Sequence, residues 1–156
     1  MLLNAGETRR LAVILAADIA GYSALMGEDE VRTVHDLKGH QAVVLPMIGN
    51  SGGRVIDTAG DGIFADFPSV QKAVRCAAAM QTVMAKRNQN IEPARRMQFR
   101  IGINQADVVS DETRIYGDGV NIAARLESIC EPGGKSGSNE STSAVVRNEP
   151  ALRSGR

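Results

Sequence analysis

The chain has 156 residues, of which 43% are apolar and 23% charged, with eighteen basic residues against eighteen acidic ones. That length suits one domain with a real core, and that composition excludes disorder as a description of the whole chain. The balanced charge excludes a field that would draw the chain to nucleic acid or an anionic membrane, and no apolar run reaches the roughly 18 residues of a membrane span.

The N-terminus lacks a charged region followed by an apolar stretch and cleavage site, so a soluble chain is expected. Cys76 and Cys130 fit neither a metal knuckle nor a disulfide framework, which points to a reducing cytoplasm. Residues 11–17, Leu-Ala-Val-Ile-Leu-Ala-Ala, form a continuous apolar run ending at Asp18, as a buried central strand would. From Glu28 to about Asn50, Val31, Val34, Val44, Leu45 and Ile48 keep helical spacing, and Gly49 with Gly52-Gly53 supplies the stop. Arg54–Ile56 and Ile63–Phe67 read as two strands of a hairpin around Thr58-Ala59-Gly60-Asp61-Gly62, with Asp61 near its tip.

Ser69 caps a second helix whose Val70, Ala73, Val74, Ala77, Met80 and Met84 share a face that is apolar except for Gln81. Residues 88–96 are polar and lead into an alternating strand over Met97–Ile103, which Val108-Val109 extends or repeats. A third helix is predicted from about Val120 to Cys130, stopped by Glu131-Pro132-Gly133-Gly134. The order β-α-β-β-α-β predicts an α+β fold, a ferredoxin-like split βαβ sandwich with an antiparallel sheet and helices on one face. The expected organisation is an N-terminal extension over 1–10, a folded domain over 11–134 and an atypical, poorly ordered tail over 135–156.

Two apparent motifs fail their structural test. Gly134-Lys135-Ser136 lacks the upstream glycine of a phosphate-binding P-loop, since position 129 is Ile, and Gly60-Asp61-Gly62-Ile63-Phe64-Ala65 precedes a strand where a dinucleotide fingerprint must open a helix. His35 and His40 fall on different faces of their helix and read as structural or solvent-exposed.

Asp18 at a strand exit and Asp61 in a hairpin turn are placed to converge. Two hard oxygen ligands of this kind suit Mg²⁺, which is held by one or two carboxylates with phosphates and water completing the shell. Spacing alone leaves open a plainer reading, in which Asp18 caps a helix start and Asp61 forms a turn.

Three ordered segments then carry a resemblance: Asp18-Ile19-Ala20-Gly21-Tyr22-Ser23, Thr58-Ala59-Gly60-Asp61-Gly62, and Tyr116-Gly117-Asp118-Gly119-Val120-Asn121-Ile122-Ala123-Ala124-Arg125-Leu126-Glu127. From about Arg9 to Gly134 the chain resembles the catalytic domain of bacterial class III adenylate and guanylate cyclases. The resemblance implies a homodimer that converts a purine nucleoside triphosphate, ATP or GTP, into a 3′,5′-cyclic monophosphate. It implies that Asp18 and Asp61, with the Ile19 carbonyl, bind two Mg²⁺ or Mn²⁺ ions per site, and that the amides of Gly21, Tyr22 and Ser23 cradle phosphates. It further implies that Asn121 orients the ribose and Arg125 stabilises transition-state charge, both reaching each site from the opposite subunit. Their four-residue spacing puts these two on one side of a helix.

The chain departs from the pattern in two places. Adenylate cyclases commonly read the base with a Lys and an Asp where this chain has Asp57 and Arg114, an inverted pair that matches guanine's N1–H and N2–H donors and O6 acceptor. Beyond Gly134 the family continues with an apolar strand and a Lys that contacts the triphosphate, and Lys135–Arg156 does not resemble that segment. Adenylate cyclase is the first expectation, with guanylate cyclase and a catalytically silent, cyclase-like regulatory module as alternatives.

Overall fold

The apolar run over 11–17 is the middle of β1 (Thr8–Ile19) in the computed structural model, which describes residues 8–110, 115–116 and 143–146 and the side chains of residues 10–105. β1 pairs antiparallel with β3 (Ile63–Phe67) on one side and β4 (Phe99–Ser110) on the other. A strand in that position has no polar side: Val13, Leu15, Ala17 and Ile19 enter the main core, while Ala12, Ile14 and Ala16 are buried on the opposite face. β2 (Arg54–Asp57) closes one edge through the β2–β3 hairpin, and β5 (Ile115–Tyr116) and β6 (Ser143–Val146) both pair with β4. The order β2-β3-β1-β4-β5, antiparallel throughout, is the predicted split βαβ arrangement.

α2 (Glu30–Asn50) and α3 (Val70–Asn88) supply the crossovers. Their Leu37, Val44 and Ile48, and Ala73, Cys76, Ala77, Met80 and Met84, form one cluster with the helix-facing residues of β1, β3 and β4. Gln81 and Asn88, polar residues on the α3 face, are buried because their side-chain amides donate to the Phe99 and Met97 carbonyls, each at 2.8 Å. Gly53, where α2 gives way to β2, allows a close approach: a Cβ there would lie 2.7 Å from the Phe67 ring.

The elements differ from expectation in two places, at the start of the long helix and in the C-terminal stretch. The long helix begins at Glu30 rather than Glu28, and a short helix that was not expected, α1 (Tyr22–Glu28), precedes it: Asp29 takes an extended conformation (φ −157°) between them and its carboxylate caps α2 by accepting the Arg32 amide at 3.0 Å. Of the two outcomes expected for Val108-Val109, extension of the strand is the one observed, within β4. Within the stretch expected to be irregular, Ser143–Val146 form β6 against Ile101–Asn104, an apolar segment too short to show a period. Among the described residues no helix is long and apolar enough to cross a membrane. The predicted helix over 120–130 lies outside the described residues, as do Arg114, Asn121 and Arg125.

Candidate active site

The β1–β4 register sets Asp18 directly opposite Arg100, one position from the end of the ladder. Both side chains project from the face opposite α2 and α3, since their neighbours Ile19, Phe99 and Ile101 enter the helix-side core. Arg100 grips the carboxylate with both arms: Nε–H donates to Oδ1 at 2.7 Å and Nη2–H to Oδ2 at 2.6 Å. Asp18 is 15% exposed and Arg100 23%, so this pair is only partly wetted.

The second carboxylate arrives from the β2–β3 turn. Asp61 Oδ2 accepts the Ile19 backbone N–H at 3.0 Å, which ties the turn to the residue after Asp18. Gly60 (φ 60°) and the Gly62 amide bonded to the Ala59 carbonyl at 3.0 Å close the turn that presents it. Among the described residues no group of three or more His, Cys, Asp or Glu side chains could hold a metal by itself. The two carboxylates flanking the Ile19 backbone are therefore an incomplete, all-oxygen set, and that chemistry fits Mg²⁺ or Mn²⁺ arriving with substrate phosphates and water.

Immediately beyond Ile19 the chain turns through Gly21 (φ 67°), a left-handed residue that starts α1 without a side-chain cap. Tyr22 and Ser23 follow on the first turn, Ser23 exposed and Tyr22 partly buried against the core. Burial, and then the carboxylates of Asp61 and Glu30, push the Tyr22 phenol above its ordinary pKa, so it stays protonated near neutrality. The other end of α1 is anchored from below. The Leu25 carbonyl accepts the Thr33 hydroxyl at 2.9 Å, and the buried Arg95 guanidinium donates to Thr33 Oγ1 at 2.6 Å. Arg95 thus pins the α1–α2 junction from the 3₁₀ turn Pro93–Arg95 that precedes β4.

The structure brings together Asp18, Ile19, Asp61, Gly21, Tyr22 and Ser23 of the predicted site. Asp57 lies exposed at the end of β2, one residue past a break in the β2–β3 register. His40 is buried and its Nδ1 accepts Arg87 Nε–H at 3.0 Å, whereas His35 is exposed beside Asp36. Sequence reading missed Arg100, which looked like the polar member of an alternating strand. Only the pairing of β1 with β4 reveals that it meets Asp18.

The adenylate and guanylate cyclase catalytic-domain model matches residues 6–150. The chain belongs to the class III nucleotide cyclases. It is 45% identical over 127 residues to a Rhizobium meliloti (strain 1021) protein whose name assigns it provisionally to the adenylate cyclases, covering 81% of this chain and 22% of that one. An adenylate cyclase of Glutamicibacter nicotianae is 30% identical over 118 residues, with 75% and 28% covered. This cyclase domain thus spans less than a third of either relative. The crystal structure of an adenylate/guanylate cyclase/hydrolase from Silicibacter pomeroyi superposes with a TM-score of 0.73 at 44% identity, covering 81% of this chain and 74% of that one. The guanylyl cyclase Cya2 gives a TM-score of 0.68 at 27% identity, with 79% and 72% covered.

Proposed function

We propose that this domain closes ATP into 3′,5′-cyclic AMP with release of diphosphate, at sites shared between two copies of the chain. The observation that carries this reading is the 3.0 Å bond from the Ile19 amide to Asp61, which holds one signature aspartate against the residue next to the other, Asp18, at one strand end. In the reaction the ribose 3′ oxygen attacks the α-phosphorus as its proton leaves, and the bond from that phosphorus to the diphosphate oxygen breaks. Two divalent cations, Mg²⁺ or Mn²⁺, supply polarisation of the phosphate and activation of the attacking oxygen when bound.

Asp18, Asp61 and the Ile19 carbonyl are the groups that would hold these cations, and the Gly21–Ser23 amides are next to them for the phosphates. Asn121 orients the ribose and Arg125 offsets transition-state charge from the second copy, a contribution worth roughly 10³ to 10⁵ in rate for arginines in such roles. The relatives named as adenylate cyclases support ATP. Asp57 favours GTP as the second reading, because an exposed carboxylate accepts from guanine N1–H and N2–H where adenine has no matching pair of donors.

Purified chain with Mn²⁺ or Mg²⁺ and either ATP or GTP, assayed for cyclic product, tests the proposal. Product from ATP is the expected result. No product from either nucleotide overturns the catalytic reading in favour of a silent dimerisation module. If Asp57 and Arg114 read the base, changing them together to Lys and Asp shifts the kcat/KM ratio toward ATP by about 1–3 kcal/mol. A shared site also predicts that mixing inactive Asp61→Ala and Arg125→Ala chains restores about a quarter of wild-type activity, because about half of the dimers carry one intact site.

A further inference from the structure

We infer that Arg100 is the resident counter-ion of the metal carboxylate Asp18, and that a divalent cation enters this site only by displacing the guanidinium. The inference rests on the proposed metal site and assigns Arg100 as a positioning residue that sets its affinity. Three observations carry it. Both oxygens of Asp18 already accept charge-assisted bonds from one planar fork, at 2.7 and 2.6 Å, so a cation ligating this carboxylate competes with an arranged pair. The pair is built into the sheet, because Asp18 and Arg100 are direct partners in the β1–β4 register and partly buried there. Asp61, held 3.0 Å from the Ile19 amide, forms no ion pair among the described residues, so the second carboxylate is already arranged to receive the cation.

The physical consequence is a site tuned against free metal. A guanidinium is weakly hydrated and cannot be deprotonated, so Arg100 cannot vacate Asp18 by losing its charge and must swing away. Its side chain is only partly buried at the strand end. Removing Arg100 removes both the competitor and its repulsion of the incoming dication.

Mn²⁺ binding without nucleotide, followed by electron paramagnetic resonance of the free ion, reads this directly. Arg100→Ala is expected to bind Mn²⁺ roughly ten- to a hundredfold more tightly than wild type, the factor that corresponds to one charged hydrogen-bonded pair. Arg100→Lys keeps a charge but cannot hold both oxygens, and is expected to fall between the two. In each background Asp61→Ala should abolish the gain. Asp61-dependent binding that is no tighter in Arg100→Ala than in wild type overturns the counter-ion role and leaves the metal site standing. Absence of any Asp61-dependent binding in all three proteins overturns the metal site as well. If Arg100→Ala does not fold, Arg100→Lys decides: several-fold tighter binding supports the inference, and equal or weaker binding overturns it.

Discussion

Two bidentate arginine–aspartate pairs occupy the same face of the sheet at opposite ends of β1, and their surroundings give them opposite characters. At one end Arg10 holds Asp66 of β3, and Arg54 adds a second positive charge 3.9 Å from the same carboxylate. At the other end Arg100 holds Asp18, and the nearby addition is another carboxylate, Asp61. The first cluster, counted among the described residues, has more cation than anion and needs nothing further. The second, among the described residues, has one arginine for two aspartates, the balance that the proposed cation site requires. Under the proposed function, the same pairing motif serves the fold at one end and a cation site at the other, according to the third charge beside it.

The largest effect expected from this contrast follows removal of Asp18. Asp18→Ala deletes a proposed metal ligand and also leaves Arg100 partly buried without its carboxylate, so cyclic product should fall by about a thousandfold or more and stability by about 1–3 kcal/mol. Product assay and urea unfolding on one preparation check both halves. Leu15→Ala, in the fully buried helix-side core, is expected to cost about 2–5 kcal/mol by denaturant unfolding while activity per folded molecule stays near wild type.

Asp66→Ala removes the carboxylate from the arginine-rich end. Because Arg10 and Arg54 are substantially exposed, the stability loss should be about 1 kcal/mol or less, with cyclic product retained. A smaller effect concerns His40, whose pKa is lowered by burial and then by Arg87, against an opposing pull from Asp36. The unfolded chain therefore takes up the His40 proton first, near the ordinary value of about 6.5, so stability present above that pH is lost as the pH falls below it. Melting temperatures of wild type and His40→Gln across this range should diverge, with the flatter profile in the variant.

Much of this architecture could be read from sequence because its periods are strong. The run through Leu15 has one environment on both faces, the α3 stripe repeats at helical spacing, and Gly60 with Asp61 punctuates the hairpin. α1 was not legible, since it is a helix of only seven residues closed by one extended residue, Asp29. The aspartates of the site were legible through their motifs and not through spacing, which fits a cap and a turn former equally well. Arg100 was not legible at all: its role depends on a register between residues 82 apart in the chain, and alternation fixes a face without naming the partner across the ladder. Gln81, a polar residue on the α3 face, was visible in the sequence, but its acceptor, the Phe99 carbonyl, was not.

Asp61→Ala tests the functional assignment of the acidic end most directly, because Asp61 lies in a turn outside the core and its one described hydrogen bond is to the Ile19 amide. Cyclic nucleotide formation and thermal melting are measured side by side for wild type, Asp61→Ala and Asp66→Ala. The account predicts that Asp61→Ala loses product with little change in melting temperature, while Asp66→Ala keeps product and melts slightly lower. Undiminished cyclic product from Asp61→Ala would contradict it.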